Sequence, residues 1–384
     1  MNSDFHYYAT YCAAILAGYN HRDSLDIAYS NCFVDMCTKT MLSRIKAPLA
    51  AATTQLNLEL MDANTDIVGL QDITRIWASF HFLPKDLYAE PAAKHCSKRY
   101  KNKYRLICGT NSELLGHTVR LAKNKSLQAM GIAMHVLCDT WAHTYFAGTP
   151  SLVINSPYNR FYEIMPDGTE RKITFRHSAS QPDDLDNSIY TSSLGTSSEN
   201  SIMNLGHGRA GHLPDYSFIK YRYLTAWGNY EETVKDNPHD YRYAFCQMLY
   251  ALKYLRGVYD EFELNRYEFE AIADIEDEIS AIINKRQLSS AEDWRALGEK
   301  LSGEKVEEFD REKYIAEYSN AGENQKDGTF LGKFIIGALA QKSMVTNKIY
   351  SSGNKLAGYS IDYKKKGFHG IRAYRKLVKE GEHE

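Results

Sequence analysis

The chain has 384 residues, of which 43% are hydrophobic and 24% are charged, and its formal net charge is −2 with histidine neutral. This composition supports a sizeable core and excludes disorder as the main state. The charge balance excludes a globally basic nucleic-acid-binding protein, although it is compatible with a local basic patch. No apolar run approaches the roughly 20 residues that cross a bilayer, so no transmembrane segment is predicted.

The seven cysteines are dispersed, and no Cys-x-x-Cys pair occurs. This pattern is typical of free thiols in a reducing compartment rather than of a disulfide framework. The amino-terminal residues lack the lysine or arginine that opens a signal peptide, since the first such residue is Arg22. Together, these features predict a cytoplasmic protein.

The first 150 residues are predicted to be mostly helical. A first helix covers Tyr7–Leu16 and ends at Gly18, and a second begins after Ser24 and runs toward Asp35. A later helix from Ser126 to about Phe146 is apolar nearly all round, which indicates a position at the centre of a domain.

Residues 147–225 have a different composition, rich in Gly, Pro, Ser, Asn and Asp. Phe161–Met165 and Lys172–Phe175 flank Pro166-Asp167-Gly168-Thr169, which predicts a β-hairpin. Ser178–Ser201 is interpreted as a long polar loop. Helices are expected to return at Tyr241–Glu261, and again near the end of the chain at 332–348.

These elements predict an all-α fold with a small β-hairpin and loop insertion. The expected organisation is a helical core at residues 1–257, which includes the insertion at about 147–225, and a peripheral helical carboxyl-terminal region at 258–384.

Three polar residues follow one another on the apolar central helix as His135-x-x-x-Asp139-x-x-x-His143. Successive positions four apart advance about 40° around an α-helix, so the three side chains lie along one stripe. Burying even one neutral polar group without a partner costs on the order of 2–7 kcal/mol. Burying an ionised Asp and two imidazoles without partners therefore costs several kcal/mol. Bound cations, with Asp139 as a bridge between two of them, would remove that cost. The alternative is two core histidines satisfied by backbone carbonyls, with Asp139 hydrogen-bonded between them.

A second polar group lies in the glycine-rich stretch from Gly206 to Asp215. It supplies His207, His212 and Asp215 as candidate metal ligands. The stretch also matches G-x-G-x-x-G, but no preceding strand or βαβ unit accompanies it, so a dinucleotide site is rejected. A glycine turn with incidental histidines is the alternative. Arg209 either neutralises a substrate phosphate or faces water.

His6, Asp35 and His81 each stand in apolar surroundings that are unusual for their types. Each is a candidate metal ligand. A structural role, in which the side chain is hydrogen-bonded within the core, fits its setting equally well.

The segment from Gly131 to His143, GIAMHVLCDTWAH, resembles the helix motif of zinc-dependent phospholipase C and of related fungal single-strand nucleases. Asp4-Phe-His6-Tyr-Tyr, Phe80-His81-Phe-Leu-Pro84 and the Gly206 to Asp215 stretch give a closer resemblance, to an uncharacterised bacterial family of phospholipase-C-like proteins. It spans roughly residues 1–225. The resemblance implies a multi-helix phospholipase-C-like core with a trinuclear zinc site for phosphodiester hydrolysis.

The resemblance also implies roles for individual residues. His135 and Asp139 match the His and the bridging Asp of the phospholipase helix, and His143 matches its following His. The remaining candidate positions are substitutes or looser matches: His81 for the isolated His ligand, Asp35 for the early Asp, His6 for the amino-terminal ligands, and His207, His212 and Asp215 for a missing His-x-x-x-Glu pair. Secreted phospholipases begin with a processed Trp, and Met1 lacks its indole.

The leading hypothesis is a metal-dependent hydrolase acting on a phosphate ester, most readily a phosphodiester. Two or three Zn²⁺ ions are expected because the ligands are mixed N and O donors, which Mn or Fe would also suit. Asp35, if it is not a ligand, is the candidate base. Arg209 and the basic segment Lys98–Arg105 are candidates for recruiting the substrate, a phosphate-containing small molecule or lipid headgroup.

Two alternatives come from other classes of protein. One is a non-catalytic helical binding or scaffold protein with a partial, structural metal site. The other is a nuclease for single-stranded nucleic acid, in which the basic and aromatic tail Tyr363–Lys379 stacks on bases and contacts phosphates. The sequence does not identify a protein partner.

Overall fold

The structure of the protein is a computed structural model that describes residues 1–47, 53–55, 67–92, 96–151, 154–155, 160–176, 181–192, 208–228 and 231–358. The predicted tail at 363–379 and His207 lie outside the described residues.

Helices make up most of the described chain. A single π-helical turn, Phe5–Ala9, leads directly into α1 (Thr10–Leu16). The helices that follow are α2 (His21–Phe33), α3 (Lys39–Arg44), α4 (Ile67–Phe80), α5 (Lys98–Tyr104), α6 (Glu113–Ala122), α7 (Leu127–Ala142), α8 (Asn237–Arg256), α9 (Glu276–Asn284), α10 (Ala291–Ser302), α11 (Arg311–Asn320) and α12 (Phe330–Ser351).

The apolar helix of the sequence analysis is α7, and it lies at the centre of the molecule. The Ser126 hydroxyl accepts a hydrogen bond from Ala129 N–H and so caps its first turn. Helices α2, α6, α8 and α12 all pack against α7. The contact with α2 is especially close, because a Cβ added at Gly131 would lie 2.3 Å from the backbone oxygen of Ile27. The central position is confirmed, but the helix ends at Ala142, and His143 is its C-cap.

A sheet covers one part of the helical body. Its strands are β1 (Tyr162–Ile164), β2 (Glu170–Lys172), β5 (Lys220–Leu224) and β6 (Glu232–Asp236), in the antiparallel order β2-β1-β5-β6. The expected hairpin is confirmed, with Tyr162 opposite Lys172, although its second strand begins at Glu170. Alternate residues of β5, Tyr221 and Tyr223, are buried beside Phe161 and form a second hydrophobic core.

Two further strands, β3 (Thr174–Arg176) and β4 (Ile189–Thr191), form a separate parallel pair between β2 and β5 in the chain. The interpretation of 178–201 as loop is therefore wrong at 189–191, where the backbone pairs with β3. The expectation of an all-α fold is confirmed in its coarser form: the protein is predominantly helical, with a small antiparallel sheet.

The carboxyl-terminal helices pack directly on the amino-terminal ones. Helix α12 contacts α4 and α7, and α10 contacts α1 and the π-helical turn before it. The boundary at residue 257 stays a prediction. Among the described helices, none is long and apolar enough to cross a membrane. All seven cysteines are free, and six of them are buried.

Candidate metal centre

The site is built around the carboxylate of Asp139, which is buried at the carboxyl-terminal end of α7. Its two oxygens face different groups. Oδ2 lies 3.2 Å from His81 Nδ1 and 3.2 Å from His135 Nε2. Oδ1 lies 2.7 Å from the amino group of Met1 and 3.2 Å from His6 Nε2. One carboxylate is thus shared between two groups of nitrogen atoms.

The first group, which we call the inner set, consists of Asp35 Oδ1, His81 Nδ1, His135 Nε2 and Asp139 Oδ2. The two ring nitrogens lie 3.3 Å apart. Asp35 Oδ1 completes the set at 3.7 Å from His81 Nδ1 and 3.8 Å from His135 Nε2. It brings together residues from the end of α2, the end of α4 and the centre of α7.

Backbone carbonyls hold the outer nitrogens of the two inner-set rings. His135 Nδ1 is 2.9 Å from the Asn31 carbonyl oxygen, and His81 Nε2 is 3.0 Å from that of Thr54. A carbonyl can only accept, so each of these outer nitrogens must carry the proton. In a neutral ring the other nitrogen then presents a lone pair to the inner set. This arrangement is usual for histidines that bind metals.

The two inner-set rings differ in how readily they take up a second proton. Burial, reinforced by the nearby His6 ring, lowers the pKa of His135 to about 4, so that ring is neutral near pH 7. Burial also opposes the charge on His81, but Asp139 and Asp35 outweigh it and raise its pKa. Asp139 is ionised, because the Met1 ammonium and the surrounding histidines outweigh its burial and hold its pKa well below the usual value.

The second group, the amino-terminal set, consists of the Met1 amino nitrogen, His6 Nε2, Asp139 Oδ1 and Asp215 Oδ1. The Met1 nitrogen lies 3.3 Å from Asp215 Oδ1. Burial disfavours the charged amine, but the carboxylates of Asp139 and Asp215 raise its pKa to about 11. The residue types gave no sign of this group, because a main-chain amine is not encoded in them.

His6 is fully buried in the π-helical turn, and its ring stacks on that of His135 with centroids 4.0 Å apart. Its Nε2 is close to Asp139, yet neither ring nitrogen makes a hydrogen bond of good geometry. Burial and the neighbouring Met1 ammonium lower its pKa. A buried, neutral imidazole in this state has a ring nitrogen available for another partner.

His143 is the C-cap of α7, and its N–H still donates to the Asp139 carbonyl as in the helix. The His143 Nδ1 is 2.7 Å from the His81 carbonyl oxygen. Its Nδ1 remains 3.6 Å from Asp139 Oδ2, and its Nε2 lies 3.4 Å from Asp215 Oδ1. The His143 Nε2 therefore faces Asp215, while the His81 carbonyl holds its Nδ1.

The glycine-rich stretch reaches the site through Asp215. His212 Nδ1 lies 3.9 Å from Asp215 Oδ2, and the His212 side chain is 57% exposed. Gly211 has a positive φ of 56°, and a Cβ there would lie 2.0 Å from the Thr191 backbone oxygen, so this turn requires glycine. Arg209 is half-buried in the same turn.

The inner-set atoms lie 3.2–3.8 Å apart, a spacing that ligands of a single metal ion adopt. His6, His135 and Asp139, and likewise Asp35, His81 and His135, offer ligand atoms within 4.8 Å of one another. Buried histidine and carboxylate groups in the structure could therefore hold a metal ion, with imidazole nitrogens and carboxylates as its donors.

The basic segment predicted at Lys98–Arg105 contains the short helix α5 on the surface. Lys101 and Arg105 both pair with Glu90, so part of its positive charge is neutralised. The rings of Tyr104 and Trp227 lie edge to face, 6.1 Å apart. A role for this segment in recruiting a substrate stays a prediction.

Comparison with known proteins gives a family but no characterised relative. No curated protein and no solved structure matches the chain. A model for a family of unknown function, DUF6765, matches residues 1–349, a span that includes every residue of both ligand sets. The chain therefore belongs to this family of unknown function.

Proposed function

We propose that the protein is a metal-dependent hydrolase of phosphate esters with at least two metal ions. The observation that carries the proposal is the sharing of Asp139 between the inner set and the amino-terminal set. A carboxylate with one oxygen in each of two ligand sets is the arrangement that bridges a pair of catalytic ions. The resemblance of the Gly131 to His143 segment to phospholipase C supports phosphodiesters as the substrate.

In this proposal, Asp35, His81, His135 and Asp139 hold one ion. The Met1 amine, His6, Asp139 and Asp215 hold a second, and His143 adds a nitrogen beside Asp215. A third ion at His143, Asp215 and His212 would complete the trinuclear arrangement that the sequence resemblance implies. Zinc is the proposed metal, with Mn or Fe as further candidates for mixed N and O donors.

The bound ions would supply Lewis acidity toward the phosphoryl oxygens and would lower the pKa of water. The chain itself contributes orientation and proton transfer. The Asn31 and Thr54 carbonyls fix the tautomers of His135 and His81, so that both rings present lone pairs to the inner set. The Asp35 side chain is 34% exposed, whereas that of Asp139 is 2% exposed. Asp35 is therefore placed where it can meet substrate, and if it is not a ligand of the ion it can accept a proton from the attacking water.

The test is metal analysis combined with hydrolysis. We expect protein purified without chelators to hold two or more transition-metal ions per chain and to hydrolyse bis(p-nitrophenyl) phosphate. Dialysis against a chelator should abolish the hydrolysis, and addition of Zn²⁺ should restore it. Fewer than two ions per chain, with no hydrolysis after zinc is supplied, would refute the proposal.

The alternative is a scaffold protein with a structural metal site. The observation that favours it is the nearly complete burial of His6, His81, His135 and Asp139, because structural zinc sites are closed while catalytic ones keep an open position. In that case, removal of the metal would lower the melting temperature, while phosphate ester hydrolysis would be absent with the metal fully bound.

A further inference from the structure

An open cleft of about 900 Å³ lies beside Asp35, the most exposed member of the inner set. One wall is formed by the chain from Asp35 to Arg44, which includes α3. The other wall comes from α11 of the carboxyl-terminal region, through Arg311 and Ile315. The volume is in the range of sites for small molecules. Because Asp35 belongs to both the cleft and the inner set, a molecule in the cleft would reach the proposed metal centre.

The side chains that line this cleft are mostly polar, and their charge is positive. Lys39, Arg44 and Arg311 supply three cations, whereas Asp35 is the single carboxylate among the described lining residues. A small polar anion would find complementary charge.

The three cations differ in how firmly their charge is neutralised. Lys39 is 2.7 Å from Asp72, a half-buried carboxylate that also lies 3.6 Å from Arg75. Arg44 and Arg311, in contrast, share one partner, Glu312, which is 57% exposed. One carboxylate cannot neutralise two guanidinium groups, so a net positive charge remains at this pair. Guanidinium groups bind phosphates and carboxylates in a bidentate manner.

We propose that Arg44 and Arg311 form a subsite for a second anionic group of the substrate. This inference rests on the proposed function, because it places the scissile phosphate at the inner set and the second group at the arginines. The substrate class is then a small polar phosphate ester that carries another phosphate or a carboxylate. The α11 helix would thereby give the carboxyl-terminal region a part in substrate recognition.

The direct test is a matched series of ligands that differ only in the second group. We would measure binding of butyl phosphate, butane-1,4-diyl bisphosphate and 4-(phosphonooxy)butanoate to the zinc-loaded protein by calorimetry. We expect at least one of the two ligands that carry a second anionic group to bind at least about tenfold more tightly than butyl phosphate. This is the gain expected for an added charged hydrogen bond. The tighter of the two identifies the second group. Equal affinity for all three would overturn the proposal.

Substitutions of the two arginines and of Glu312 should change the affinity for the preferred ligand in opposite directions. Arg44→Ala and Arg311→Ala should each weaken binding of the preferred ligand about tenfold while leaving butyl phosphate unchanged. Glu312→Gln, which removes the competing carboxylate, should strengthen binding of the preferred ligand. Lys300→Ala is the matched control, because Lys300 is an exposed cation paired with Glu278 and is not among the residues lining the cleft.

The Glu312→Gln result keeps the proposal testable if an arginine variant fails to fold. Weaker or unchanged binding of the preferred ligand by Glu312→Gln would contradict the subsite. Failure of the proposed function looks different: the protein would then lack metal and hydrolysis, whatever its ligand preference. Failure of the subsite alone would leave the metal content and hydrolysis of the unsubstituted protein intact, with equal affinity for the three ligands.

Discussion

The amino group of Met1 lies 2.7 Å from Oδ1 of Asp139, and both groups are buried. The first residue of the chain thus pairs with a residue 138 positions away, at the carboxyl-terminal end of the central helix. Without metal, this ion pair neutralises a buried carboxylate. Under the proposed function, the same amine would be a nitrogen ligand, because metal binding would displace its proton. The Met1 amine lies within the candidate site.

Extending the chain at its amino end should damage the site. In a variant with Gly-Ser placed before Met1, the amine becomes an amide, which carries no charge and cannot serve as a ligand. We expect the metal-free protein to lose about 3–5 kcal/mol of unfolding free energy, as for a broken buried ion pair. Metal content should fall by about one ion per chain, in keeping with the ligand count of zinc sites. The same extension at the carboxyl end is the control, and equal behaviour of the two would contradict the role of Met1.

Removing ligands from α7 should lower the metal content of the protein. His135→Ala removes one donor of the inner set, and Asp139→Ala removes the carboxylate that both sets share. We expect the first to lose one ion and the second to lose both, with hydrolysis falling by at least about 100-fold in each. His117→Ala is a matched control, since His117 is a partly exposed histidine on α6 paired with Glu113. Full metal occupancy in Asp139→Ala would exclude the bridging role.

Gly131 links the packing of the helices to the site. A Cβ at this position would lie 2.3 Å from Ile27 O and 2.9 Å from Asn31 N, so Gly131→Ala must push α2 away from α7. We expect a loss of about 1–3 kcal/mol of unfolding free energy, typical of overpacking. Zinc affinity should fall too, because the Asn31 carbonyl that orients His135 moves with α2. Gly328→Ala, with no atom near its added Cβ, should change neither quantity.

Some features of the candidate site follow from local sequence patterns, and others depend on contacts between distant segments. The apolar central helix and the convergence of His135 with Asp139 follow from spacing, which is local. Backbone carbonyls as partners of the helix histidines were given as the alternative, and His135 and His143 do contact carbonyl oxygens. Which carbonyls these are could not be predicted, because packing between distant segments sets their direction. The hairpin turn was visible in Pro-Asp-Gly-Thr, but its pairing with β5 is nonlocal and was not predicted.

Lys342 should make stability depend on pH. It is fully buried in α12, and burial, opposed by Asp72, lowers its pKa to about 7. In the unfolded chain it keeps its proton up to about pH 10.5, so unfolding takes up a proton between pH 7 and 10.5. The folded state therefore gains stability from this group as pH rises through that window and carries the full cost below pH 7.

Lys342→Met should remove this dependence. We expect the variant to exceed the wild type in unfolding free energy at pH 6 by an amount on the order of a few kcal/mol, and the gap to shrink toward pH 10. Denaturant titrations at a series of pH values measure it. Lys348→Met on the same helix, at an exposed position, is the control and should show no gap at either pH. A gap that grows with pH would contradict the sign of the effect.

The use of a single carboxylate by both ligand sets has a consequence for how the site fills. An ion on one oxygen of Asp139 withdraws negative charge from the other oxygen, and two divalent ions a few ångströms apart repel each other. Occupancy would then be stepwise, with the second equivalent held more weakly than the first. Such a protein would pass through a singly loaded form as zinc becomes scarce, and activity that needs both ions would fall well before the fold releases its last one.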